Sequence, residues 1–131
     1  MTGETIIAQL RPLRRELVLA AEEVIKYQGK MPERTQFSRL LNLCAEASCS
    51  EELENYLRYQ AGRKGSNWKP EFVRKVIDGV SSVLNRLPQA TDGTERDRLR
   101  VEAWRLYATY LRRSHIWREE TTKRAKQGKP R

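Results

Sequence analysis

The sequence predicts an all-α protein, a compact bundle of about five helices. Three observations carry that expectation. Apolar residues recur at three- and four-residue steps along most of the chain, proline and glycine punctuate those stretches, and no segment alternates apolar with polar residues at strand period. A chain of 131 residues is long enough for one core-bearing domain and short for two. Residues 1–120 are therefore expected to form a single helical domain, followed by a basic, disordered tail at 121–131.

In the first segment Leu13, Leu17, Val18, Ala21, Val24 and Ile25 make one stripe, while Arg15, Glu16, Glu22, Glu23 and Lys26 take the other side. Pro12 suits either the first turn of this helix or a kink after a shorter lead-in from Glu4 to Leu10, and Gly29 with Pro32 closes it. The second helix is expected from Thr35 to about Ala47, burying Phe37, Leu40, Leu41 and Cys44.

Ser48 and Glu51 have the spacing of a capping box, so a third helix should start there and run to about Arg63 over Leu53, Tyr56, Leu57 and Gln60. Gly62 and Gly65, with Ser66 and Asn67, then make a turn. Pro70 opens a fourth helix over 71–87, in which Val73, Val76, Ile77, Val80, Leu84 and Leu87 share a face. Pro88 stops it. After a turn at Thr91-Asp92-Gly93, the Thr94/Asp97 pair reads as another capping box. A last helix follows through Leu99, Ala103, Leu106, Tyr107 and Tyr110 to about Trp117. Val24, Leu40, Leu53, Val76, Val80, Leu84, Leu106 and Tyr110 are the expected shared core.

The tail beyond Thr121 carries Lys123, Arg124, Lys126, Lys129 and Arg131, with no acidic residue and no apolar residue larger than alanine, and is expected to be frayed. The early apolar run Leu17–Ala21 is hemmed by charges, which excludes a signal peptide or a membrane span within it. Two cysteines without a secretory signal point to reduced thiols and a cytoplasmic protein.

The chain carries 26 Lys and Arg against 17 Asp and Glu, a net charge of +9 that points to an anionic partner. The excess is uneven, with 10 basic and 9 acidic residues in 1–65 but 16 and 8 in 66–131. At about 100° per residue, Arg98, Arg105 and Arg112 fall in a narrow strip over roughly 21 Å of the last helix, away from the Leu99–Tyr110 face. Such a row can follow a nucleic-acid backbone, because guanidinium groups pair with phosphates. The plainer alternative is a solvated helix face on which Glu95 and Glu102 pair some of these arginines. On the third helix Asn55, Tyr59 and Arg63 lie on the polar side, flanked by Arg58 and Lys64, and a tyrosine beside arginine is a candidate base-stacking group. Tyr59 and Trp68 can equally be packing residues, Trp68 by covering the start of the fourth helix.

Catalytic and metal signatures are missing from the sequence. The single histidine, His115, has no acidic orienter nearby in the sequence reading and is taken as a surface residue. Cys44, Cys49 and His115 do not have zinc-site spacing, and Cys44 belongs to an apolar stripe. The glycines do not form a phosphate-cradling loop. No cofactor and no enzymatic activity are expected.

The segment Asn55-Tyr56-Leu57-Arg58-Tyr59-Gln60-Ala61-Gly62-Arg63 resembles the tyrosine-rich helix ending in Ala-Gly-Arg of the small all-helical subunits of type III CRISPR–Cas effector complexes. The resemblance covers about a tenth of the chain. It implies a non-catalytic protein of antiviral defence that stacks along the effector complex, beside the other subunits and copies of itself, and lines the groove that holds guide and target RNA. Arg58, Tyr59, Arg63 and Lys64 would be the RNA-binding residues at the motif, with Arg98, Arg105 and Arg112 as the independently derived row. Base pairing by the guide would read sequence, leaving this subunit only backbone contacts. Two other readings are a helix-turn-helix DNA-binding regulator and a helical adaptor for an acidic protein surface. Glu51, Glu52 and Glu54 at the start of the third helix disfavour the regulator, since they would face phosphates.

Overall fold

The structure, a computed structural model, describes residues 3–87 and 93–127. Every regular element among them is helical. A short α1 (Gly3–Leu10) leads through one 3-10 turn (Arg11–Leu13) into α2 (Arg14–Ile25), followed by α3 (Arg34–Cys44), α4 (Ser50–Gly62), α5 (Pro70–Leu84) and a long α6 (Gly93–Gln127). Pro12 sits in the 3-10 turn, where its ring and missing N–H break the helix, so the kink is the alternative that forms.

Helix α6 is the axis of the bundle and touches each of the other five. It runs antiparallel to α3, since Arg34 meets Glu119, Ser38 meets Arg112 and Cys44 lies in the field of Arg105. Helix α2 is antiparallel to α5 by the same logic. The ring of Tyr27 lies 5.3 Å from that of Phe72, Val24 lies against Gly79, and Glu16 reaches Arg86 at 3.9 Å. Gly79 is where α5, α2 and α6 come closest: a Cβ there would stand 2.7 Å from the Tyr107 hydroxyl oxygen. That hydroxyl donates a 2.7 Å hydrogen bond to the Val76 carbonyl.

The core is continuous. Val24, Leu40, Leu53, Val76, Val80, Leu84 and Leu106 are all buried as expected, while Tyr110 packs against the core and is only partly covered. The face that α6 buries is wider than the predicted one. Beyond the expected Leu99, Ala103, Leu106 and Tyr107, Trp104, Ala108, Leu111 and His115 are buried as well, which turns the centre of the buried arc about a quarter turn from the Leu99–Tyr110 stripe. A helix with neighbours on several sides has no single apolar stripe.

Four local expectations are corrected. Helix α6 does not end near Trp117 and residues 121–127 are not frayed coil: the helix runs to Gln127, held by Arg34 on Glu119 at 2.6 Å and on Glu120, and by Lys123 on Glu120 at 3.7 Å. Residues 128–131 lie outside the described residues. The capping box of α4 forms differently, with Cys49 at the N-cap making no side-chain bond and the backbone N–H of Ser48 donating to Glu52 at 2.5 Å. Thr94 stands inside α6, because the helix starts at Gly93. Helix α5 ends at Leu84 and continues only as a turn to Leu87, the backbone N–H groups of Arg86 and Leu87 bonding to Val83 and Leu84. Pro88 and the turn at Thr91-Asp92 lie outside the described residues.

Candidate nucleic-acid interface

The C-terminal end of α4 gathers Arg58, Tyr59, Arg63 and Lys64. All four are exposed, Tyr59 to 61%. Helical spacing explains the grouping: Leu53, Leu57 and Gln60 are drawn into the core, which turns Asn55, Arg58, Tyr59 and Arg63 outward. Helix α4 ends at Gly62, and Arg63 follows in extended conformation, its Nε donating to the Gln60 side-chain oxygen at 3.2 Å. This places the Arg63 guanidinium 6.0 Å from the centre of the Tyr59 ring. Arg58 has one long contact, 3.4 Å to Glu54, on an exposed surface where such a pair holds little. Gly65, at φ +82°, takes the left-handed turn that swings the chain into α5. There Arg74 shares a shallow groove with Arg58.

Trp68 belongs to the core. It is 1% exposed, its ring lies 5.5 Å from Phe37 and 6.0 Å from Phe72, and its backbone N–H donates to Ser66 Oγ. The covering role is the one it takes.

The row Arg98, Arg105 and Arg112 is not a free cationic strip. Arg98 is exposed, but Arg105 is half-buried and bonded to Glu102 through Nε at 2.8 Å and through Nη2. Arg112 donates from Nε to Ser38 Oγ at 2.8 Å. Because the buried arc of α6 extends round to Ala108 and His115, Arg112 and Arg105 stand near its edge, on the side of the seam with α3. The structure also keeps this row apart from the tyrosine patch. Helix α4 meets α6 at its first turn, where a backbone hydrogen bond, with the nearby Arg100 and Arg96 charges adding to it, holds the Glu51 carboxyl below its usual range, and Tyr59 lies about 12 Å farther along.

His115 is not a surface residue. It is 4% exposed, stacked on Phe37 with centroids 4.7 Å apart, and neither ring nitrogen has a hydrogen-bond partner. Glu119 Oε2 stands 3.6 Å from Nε2. Burial is the larger influence and lowers the imidazole's proton affinity, with the Arg34 and Arg118 charges acting the same way and Glu119 opposing them. Burial likewise pushes the Cys44 thiol up to about 12, so it is a small hydrophobe in this site. Among the described residues no group of three or more His, Cys, Asp or Glu side chains is placed to hold a metal ion. No helix among them is long and apolar enough to cross a membrane.

A second exposed aromatic escaped the sequence reading. Trp117 is 70% exposed, on a groove of about 730 Å³ between the end of α2 and the outer half of α6, beside Glu22, Ile25, Lys26, Arg113 and Arg118. The Arg118 guanidinium is fixed at one wall, donating to the carbonyls of Ile25 and, at 2.7 Å, Tyr27. These are carbonyls that the end of α2 leaves without helical partners. Arg118 is therefore a structural residue. The signal available in the sequence was a tryptophan with arginines at both i−4 and i+1.

Comparison of the chain with protein-family models, with curated proteins and with solved structures found no match.

Proposed function

We propose that this protein is a non-catalytic RNA-binding module that grips the phosphate backbone without reading sequence. The observation that carries the reading is the exposed Tyr59 ring with Arg63 over it and Arg58 and Lys64 alongside, on a chain of net charge +9. An aromatic face stacks any base, and cations beside it neutralise phosphates, so the pair of functions needs no sequence readout. Of the predicted row, Arg105 and Arg112 serve chiefly the α3 seam.

The particular assembly we propose is a type III CRISPR–Cas effector complex, in which the protein would be the small subunit on guide and target RNA. Its support is the Asn55–Arg63 resemblance together with the all-helical fold. Purification from the native host would then bring guide RNA and large effector subunits with the protein.

Binding of labelled single-stranded RNA, followed by anisotropy over a salt series, tests the broader reading. Affinity should fall steeply with salt, by a log–log slope of about 0.7 for each phosphate contacted. Replacing Arg58, Arg63 and Lys64 together by Ala should cut affinity at least tenfold and flatten that slope, with melting unchanged. A flat salt dependence in the unaltered protein overturns the proposal.

A further inference from the structure

We infer that the groove at Trp117 is a second RNA subsite, one that holds a single unpaired base with its flanking phosphates. The inference rests on the RNA-binding reading and adds a surface that reading does not use.

Trp117 differs from the other two tryptophans. Trp68 and Trp104 are 1% and 0% exposed and Trp117 is 70% exposed, although it stands on the most heavily packed helix of the fold. Nothing in the molecule needs the ring where it is. Among the described residues no aromatic ring or guanidinium is seated on it, and the buried Ile25 beside it is already covered. A large flat apolar face held open to water is what a stacking partner would cover.

The surroundings select the kind of partner. Arg113, one turn before Trp117 on the same side of α6, makes no ion pair among the described residues. Lys26, across the groove, has only an exposed contact to Glu23 at 3.2 Å. Arg118 adds a fixed positive charge, and Glu22 is the one carboxylate on the lining. Seven residues beyond Trp117, exposed Arg124 continues the same edge about 10.5 Å along the axis. An aromatic face between separated cations fits a base between its two phosphates, and the groove has the size of a small-molecule site. A duplex cannot offer such a base, because its faces are already stacked. A second copy of this chain would bring its own net charge of +9 against Lys26, Arg113 and Arg118, so the cations around the apolar lining at Ile25 and Trp117 favour a polyanion.

The tryptophan provides its own reporter. In the full chain, emission should respond to a twelve-nucleotide oligouridylate through Trp117 alone, since the other two indoles are in the core. Saturable quenching is expected with the single strand and little with a blunt duplex of equal length. Trp117→Phe should abolish the quenching, weaken the single-strand affinity severalfold and leave the melting temperature in place. Trp117→Tyr should restore part of the affinity. Replacing Lys26 and Arg113 by Ala should weaken binding and lower its salt slope. If anisotropy reports salt-dependent binding without quenching, the groove holds no base and only the Tyr59 patch binds RNA. Equal quenching by the duplex overturns the unpaired-base assignment. A blue shift that grows with protein concentration in the absence of RNA and is lost in Trp117→Phe assigns the ring to a self-contact instead. If neither probe binds, this inference and the RNA-binding reading fall together.

Discussion

A hydrogen bond of 2.7 Å from Arg118 Nη1 to the Tyr27 carbonyl ties the outer half of α6 to the end of α2 across 91 residues of sequence. The same nitrogen serves the Ile25 carbonyl, so one guanidinium completes the hydrogen bonding that α2 leaves open and places a positive charge at the negative end of its dipole.

Arg118→Ala should cost about 2 kcal/mol, the loss of a charged donor to two partly buried carbonyls, and lower the melting temperature by roughly 6–10 °C. Arg118→Lys should recover part of it, because an ammonium keeps the charge but sits on a shorter side chain than the guanidinium nitrogen that serves both carbonyls. Calorimetry of the two variants checks the order.

Gly79→Ala should destabilise by about 1–3 kcal/mol, although alanine is ordinarily the better helix former by about 1 kcal/mol. The added methyl would stand 2.7 Å from the Tyr107 oxygen and 3.1 Å from Val24 Cγ2, in a core with no slack. Denaturant titrations in a Tyr107→Phe background, which removes the nearer atom, should show a smaller penalty for the same change.

Stability should depend on pH through His115. The imidazole is held neutral in the fold below its ordinary value of about 6.5, so the unfolded chain binds the proton first as pH falls. The contribution is complete above about 6.5 and is lost as pH drops from there toward the lowered folded value. Melting temperatures between pH 7.5 and 5.5 should therefore decline in the unaltered protein and stay flatter in His115→Phe, which keeps the ring contact with Phe37.

Arg112→Ala should lower stability by about 1 kcal/mol through its lost bond to Ser38, whereas Arg63→Ala should leave melting unchanged while weakening RNA binding. Melting curves and binding isotherms on the same two samples separate the seam from the surface.

The helices were legible because Leu17, Leu40, Leu57, Val76 and Val80 keep helical spacing and Pro12, Gly65 and Pro70 mark the breaks between them. The tyrosine patch was legible for a related reason: on a peripheral helix, a residue opposite the apolar stripe is exposed. Both rules fail on α6. A helix surrounded by neighbours buries Trp104, His115 and the stems of Arg105 and Arg112 together, and one-dimensional periodicity has no way of registering a second or third neighbour. Trp117 escaped for the opposite reason, since a large apolar residue at a helical position reads as core unless its neighbours in space are known. The segment 121–127 lacks apolar residues, yet remains helical because Arg34, distant in sequence, anchors the turn before it.

That α6 supports every other helix has a consequence for synthesis on the ribosome. It is made after α1 to α5, which therefore emerge with Leu17, Phe37, Phe72 and Val76 facing a space that Trp104, Tyr107 and Leu111 have yet to fill. The nascent chain has no closed domain to fold into until that stretch clears the exit tunnel. Closure of the core thereby waits for α6, and over that interval the exposed apolar face is a natural substrate for chaperones.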